Sequence, residues 1–322
     1  MKKVIKIVLI IVIVAVLLIV GGFSALLAIA NHHNKNYWKY ATPSGEIEKK
    51  YTAMGELEVS YTEFKAKTDT YGKYEIWYPT EMKDSDTKYP LVIMANGTGV
   101  RASKYQEVFK HLASWGFIVV GNEDDSSLSG ASSAETLDFM LAQNDDTSSE
   151  FYGKIDVDNI GIAGHSQGGL GAVNAVTNQE NGNRYKAMWI ASATSPYWGQ
   201  DSAFGAAWRV DMSKIGIPCF MVAGAGPNDA GTATDITQTE GQGICPLWGL
   251  TESYNAIPDG TPKVMARLIG KDHGDMLRYA DGYMTAWFMY YLKGDEYAGG
   301  AFFGGNAEIS TNANWQDTQS SK

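Results

Sequence analysis

Two hydrophobic rhythms run along this chain. In "GELEVSYTEFKA" and "YGKYEIWYPT" apolar or aromatic positions alternate with polar ones, the period-two pattern of strands with one buried face. From Pro90 onward the short apolar runs are unbroken: "PLVIMA", "FIVVG", "NIGIAG", "KAMWIASA", "IPCFMVAG" and "KVMARLIG". Such runs suit strands covered on both faces. Helical stretches stand between them. Tyr105, Val108, Phe109, Leu112 and Trp115 recur at helical spacing. "SSAETLDFMLAQ" opens with serines and a glutamate that favour a helix start. "GGLGAVNAVTNQ" reads as a small-residue helix and "DMLRYADGYMTAWFMYYLKG" as a long amphipathic one. The alternation predicts an α/β fold: a mainly parallel sheet with antiparallel N-terminal strands and helices on both faces.

The connections carry further expectations. Little chain separates "YKAMWIASAT" from "IPCFMVAG", so a large cap domain is not expected and the cleft is expected to be open and shallow. The longer insertion, Ala230 to Pro262, holds Cys245, Trp248 and Tyr254 and is expected to wall the site.

The two ends differ from the middle. Lys2, Lys3 and Lys6 precede an apolar run from Ile7 to Val20, and a second piece runs from Phe23 to Ala30. Together they reach the ~20 residues that span a bilayer, with the lysines held inside. Residues 1–30 are therefore expected to be a transmembrane anchor, or a signal peptide cleaved at Ala30 within Ala28-Ile29-Ala30. Either way the rest is placed outside the cytoplasm. Residues 31–50 read as a polar tether, 51–304 as the catalytic domain, and 305–322 as a loosely held polar tail.

Composition narrows the function classes. The 322 residues are 44% hydrophobic and carry a net charge of −10, with no basic cluster beyond the N-terminus. Nucleic acid is thereby disfavoured as a partner. Cys219 and Cys245 are the only cysteines; export would permit a disulfide, and unpaired thiols are equally compatible. The chain has no C-x-x-C and no helical H-x-x-x-H, so neither a metal site nor a cofactor is expected.

The candidate chemistry centres on Gly164-His165-Ser166-Gln167-Gly168, a G-x-S-x-G sequence with an apolar strand before it and a small-residue helix after it. That context places Ser166 on a tight strand-to-helix turn, with a helix N-terminus aimed at developing negative charge. A serine hydroxyl needs a base. Of the five histidines, His32 and His33 lie near the membrane, His111 lies within a helix, and His165 adjoins the serine. His273 remains, in a loop between a strand and the last helix. Asp229 follows the preceding strand and would orient His273, with Asp235 as competitor. Backbone N–H groups of Gln167 and, by position, Thr98 are the candidate oxyanion donors.

These residues carry a resemblance. The run from "YPLVIMANGTG" through "NIGIAGHSQGG" and "IPCFMVAGAGPNDAG" to "DHGDMLRYADGYMTAWFMYYL" resembles the α/β-hydrolase superfamily over residues about 55–300. Within it, the chain is similar to the cutinase, polyester-hydrolase and chlorophyllase-like branch near dienelactone hydrolases. The order Ser166, Asp229, His273 is that of α/β-hydrolases. Polyester hydrolases draw their second oxyanion donor from an A-P-G-aromatic loop, where this chain has Ala95-Asn96-Gly97-Thr98. Their Pro-Trp corresponds to Pro196-Tyr197-Trp198, which implies a substrate-binding role for Tyr197 or Trp198. Dienelactone hydrolases use a cysteine nucleophile where Ser166 stands here.

The resemblance implies a serine esterase acting on a small or polymeric ester through an acyl-enzyme. Two other readings use the same residues. One is an acyltransferase or peptidase with the same three groups. The other is an inactive, surface-anchored binding module on a hydrolase fold.

Overall fold

A computed structural model describes residues 22–322. Two compact units are distinguished, one ending at Ala41 and one spanning Thr42–Lys322. In the first, residues 22–35 are helical and a 3₁₀ turn follows at Tyr37–Lys39. The apolar run Ile7–Val20 lies outside the described residues, and no described helix is long and apolar enough to cross a membrane.

The second unit is built on nine strands: β1 (Val59–Lys65), β2 (Lys73–Pro79), β3 (Tyr89–Ala95), β4 (Ile118–Asn122), β5 (Ile155–His165), β6 (Tyr185–Ala191), β7 (Cys219–Gly224), β8 (Lys263–Leu268) and β9 (Trp315–Ser321). They form one sheet in the order β1-β2-β4-β3-β5-β6-β7-β8-β9. Strands β3 to β8 run parallel; β1 and β2 at one edge and β9 at the other are antiparallel. The longer helices are α1 (Glu46–Thr52), α2 (Gln106–Ser114), α3 (Ala131–Asp145), α4 (Gln167–Asn178), α5 (Leu247–Ala256) and α6 (Asp281–Lys293).

The unbroken apolar runs have the expected cause. Every residue of β3 is buried, because helices cover both faces of a parallel sheet. Successive side chains still point to opposite faces. Ile160 and Ile162 share a core with Leu137 of α3, Val173 of α4 and Leu250 of α5. Between them, Gly161 lies against Phe288 of α6, where a side chain would collide.

Both expected polar ends are corrected. The tether ends in α1, whose Glu48 is buried. The tail is the edge strand β9, paired with β8 from Lys263 to Leu268. Glu48 joins these ends: its carboxylate accepts from Asn312 Nδ2 and Trp315 Nε1, each at 2.8 Å. Arg267 of β8 and Asp317 of β9 add an ion pair at 2.8 Å. These polar residues are spent on one another, a pairing that hydropathy along the chain does not reveal.

The strand order positions the site. From β3 the chain steps to β4 on one side and then crosses to β5 on the other. Connections leave in opposite directions at that point and open a crevice beyond the carboxyl ends of β3 and β5. Ser166 follows β5 and Asn96-Gly97 follows β3.

Candidate active site

Ser166 sits between β5 and α4 with φ 58° and ψ −127°. L-residues rarely adopt that region, and holding one there costs on the order of 1–3 kcal/mol. Two backbone bonds of 2.9 Å hold the turn, Ser166 N–H to Ala191 O and Gly169 N–H to Ser166 O. The flanking glycines serve close approach. A Cβ on Gly164 would overlap the carbonyl oxygen of Gly168, and one on Gly168 would overlap that of Ala95. The helix can therefore fold back over the strand tips only with hydrogen at both positions.

Three side chains meet beyond the strand ends. Ser166 Oγ lies 3.0 Å from His273 Nε2, and His273 Nδ1 lies 2.7 Å from Asp229 Oδ1. The neutral tautomer that donates from Nδ1 to Asp229 accepts from the serine hydroxyl at Nε2. His273 opens the 3₁₀ turn after β8, and Asp229 lies in the short helix Pro227–Ala230 after β7. Because β5, β6, β7 and β8 are consecutive in the sheet, three loops distant in sequence converge. Asp229 is fully buried, and the His273 side chain keeps 18% exposure to the cleft. Asp235 is elsewhere: it is exposed and its carboxylate accepts from Thr237 N–H and Oγ1.

Three supporting residues escaped the sequence reading. Ser192, with φ 47°, donates from Oγ to Asp229 Oδ2 at 2.5 Å. Gly224 N–H donates to the same oxygen at 2.7 Å. The carboxylate thus turns one oxygen to His273 and has the other held. Asp272 clamps the two loops together. Its carboxylate accepts from Asp229 N–H and His273 N–H at 2.9 Å each, from Asn228 N–H at 3.1 Å and from Asn228 Nδ2 at 2.8 Å. Burial acts to raise the pKa of Asp272, but these donors outweigh it and hold it below the usual carboxylate value.

His165, adjacent to the serine, turns away from it. Its Nε2–H donates to His273 O at 2.7 Å and its ring lies 4.7 Å from that of His273. Burial, then the neighbouring His273, push its pKa down to about 4, so it is a neutral donor there. Ser192 and Asp272 carried no distinguishing sequence signal, since the Asp229 they support lies on another strand's loop.

The two oxyanion candidates follow the carboxyl ends of β5 and β3. Gln167 opens α4, where its N–H is one of the first-turn donors that a helix leaves unpaired. Thr98 is exposed on the turn after β3, which Val100 N–H closes onto Gly97 O at 3.1 Å. Its neighbour Gly97 is buried, with its Cβ direction 3.5 Å from Ser166 Cβ. Tyr197 and Trp198 are half-buried on the 3₁₀ turn Pro196–Gly199 after β6. Trp198 Nε1 donates to Gly243 O at 3.1 Å, and its ring stacks on Phe204, which in turn meets Trp208 at a tilt. Cys219 and Cys245 are unpaired and buried. Burial pushes the first thiol up to about 12 and the second well above its ordinary value, so neither is a ready nucleophile.

Comparison with known proteins agrees with this frame. A family model described as PETase, PET hydrolase-like, matches residues 34–234, more than half of the chain. No curated protein matches it.

Proposed function

The chain belongs to the PET hydrolase-like family of α/β-hydrolases, which makes it a carboxylic ester hydrolase, and from that premise we propose that it works through an acyl-enzyme on Ser166. Ser166 Oγ attacks the ester carbonyl carbon as its proton passes to His273 Nε2. The oxyanion is met by the N–H groups of Gln167 and Thr98. Asp229 holds the His273 tautomer and stabilises the imidazolium. His273 then gives the proton to the departing alkoxide. In the second half it takes a proton from water, which attacks the acyl carbon, and returns it to Ser166 Oγ as the acyl–Oγ bond breaks and the acid leaves.

The observation that carries this reading is the unbroken relay of 3.0 Å and 2.7 Å from serine through histidine to a buried carboxylate. The test is hydrolysis of short p-nitrophenyl esters by the full chain and by Ser166→Ala. A loss on the order of 10⁶ in kcat is expected; equal rates would sink the proposal. Labelling of the wild type by a fluorophosphonate probe is expected as well, and an unlabelled protein would favour the inactive binding module.

Export and anchoring belong to the same proposal. Their support is the sequence pattern of Lys2, Lys3 and Lys6 ahead of Ile7–Val20. Protease added to intact cells is expected to digest the catalytic unit. Protection from the protease would overturn that placement.

A further inference from the structure

Against α4, the helix that follows Ser166, lies a cavity of about 410 Å³, within the range of ~300–1,000 Å³ typical of small-molecule sites. Leu170 and Val173 of α4, Ile190 of β6, Met221 of β7, Leu250 of α5 and Val210 of the β6–β7 connection contribute to its walls. That connection is no cap domain, yet its 3₁₀ turns at Pro196–Gly199 and Ala206–Trp208 both supply lining residues. The open, shallow cleft expected from the sequence therefore has an apolar chamber next to it.

Ser166, Asp229 and His273 do not line the chamber. Its link to them is α4. A Cβ on Gly169 would stand 2.6 Å from Ala193 Cβ and 3.6 Å from Ile190 Cβ, and both Ala193 and Ile190 belong to the wall. Gly169 lies within one helical turn of Ser166, a rise of about 5 Å. The wall therefore starts about one helical turn along α4 from Ser166. Arg209 is the one charged residue among the described lining residues. It is already engaged by Gly199 O at 2.6 Å and Asp201 at 2.8 Å. The chamber thus offers apolar surface and no spare charge for an anion.

We propose that this chamber receives the tail of a medium-chain aliphatic acyl group, and that such esters are the preferred substrates. The inference rests on the acyl-enzyme reading of Ser166. An acetyl group on Ser166 ends before the wall and gains nothing from it. An octanoyl or decanoyl chain reaches past Ala193 and buries its outer methylenes. Each methylene buried is worth roughly a fourfold gain in kcat/KM. The reacting carbonyl stays in the cleft with the oxyanion donors while the chamber grips only the tail.

The test pairs kinetics with binding. Across p-nitrophenyl esters from acetate to decanoate, kcat/KM of the wild type is expected to rise at least tenfold. Val210→Trp and Ser253→Trp, at two half-buried positions of the wall, are expected to lower the decanoate-to-acetate ratio at least tenfold. Thermal melting verifies that each variant is folded. A ratio unchanged in both folded variants, or a wild type that prefers acetate, overturns the proposal. Calorimetry of Ser166→Ala with sodium decanoate decides independently of catalysis. Binding that both tryptophans weaken tenfold supports the chamber; no binding overturns it. Absence of any Ser166-dependent hydrolysis would overturn the esterase reading alone and leave the calorimetric result to stand for the chamber.

Discussion

Two histidine–aspartate pairs in this molecule have the same bond length and opposite characters. His273 Nδ1 meets Asp229 at 2.7 Å, and His111 Nδ1 meets Asp281 at 2.7 Å. The difference lies at the other ring nitrogen. In His273 it faces the Ser166 hydroxyl, which can both give and take a proton. In His111 it faces the carbonyls of Thr52 and Ala53 at 3.1 and 2.9 Å, which only accept. Both nitrogens of His111 therefore face acceptors, an arrangement that favours the imidazolium. Burial alone would lower its pKa, but Asp281 and the two carbonyls outweigh that and raise it. With no exposure at either partner, this pair ties α2 and α6 to the end of α1. The Asp–His bond is thus common to both; the third partner decides whether the histidine can relay a proton or serves as a clamp.

Removing each carboxylate's charge breaks the comparison most sharply. Asp229→Asn is expected to lower kcat on the order of 10⁴-fold, since the tautomer is no longer imposed, with little change in thermal stability. A larger loss for Asp235→Asn would contradict the assignment. Asp281→Asn should do the reverse. It removes the counter-charge that outweighs burial at His111, at a cost of about 3–5 kcal/mol in denaturant unfolding, while kcat of the folded fraction stays near wild type.

The pH dependence of the clamp follows from its sign. His111 has a raised folded pKa, so its contribution is full below the unfolded imidazole value, about 6.5. It fades as pH rises through the higher folded value. The stability gap between wild type and His111→Gln should therefore be widest in mild acid and narrow in base. A gap that widens with pH would mean that His111 is neutral.

The smallest effect belongs to the clamp beside the proposed relay. Asp272→Ala is expected to reduce kcat by about 10–100-fold, because the Asp229 and His273 loops lose their shared acceptor and drift. KM should change little, and Asp272→Asn should recover part of the loss by accepting through its remaining carbonyl. Since Asp272 has a lowered pKa, its contribution is full above the ordinary carboxylate value. It is lost as pH falls through the lower folded one. An Asp272→Ala enzyme as active as wild type at neutral pH would show that the two loops hold themselves.

Legibility along the chain follows the range of the interaction. Strand and helix periods, the turn at Gly164-His165-Ser166-Gln167-Gly168 and the order of Ser166, Asp229 and His273 are properties of short segments and their sequence order. They could be read directly. The N-terminal polar stretch and the C-terminal "WQDTQSS" could not, since their polar residues look solvated until Glu48, Asn312 and Trp315 are brought together. His111 was set aside as a residue within a helix. Its role depends on Asp281, from a helix near the other end of the catalytic unit.

What the sequence by itself determined is the alternation of elements, the strained serine turn, and the serine and histidine proposed to do chemistry. Hydrophobic period and local sterics act over a few residues, and they survive in a linear reading. What only the tertiary structure decided is which carboxylate each histidine meets, which polar residues hold Asp229 and His273 in place, and the chamber one helical turn from Ser166. Each of these depends on which strand tips lie side by side and on what the connections between them cover. Long-range burial sets that arrangement, and it leaves no periodic trace at the residues it joins.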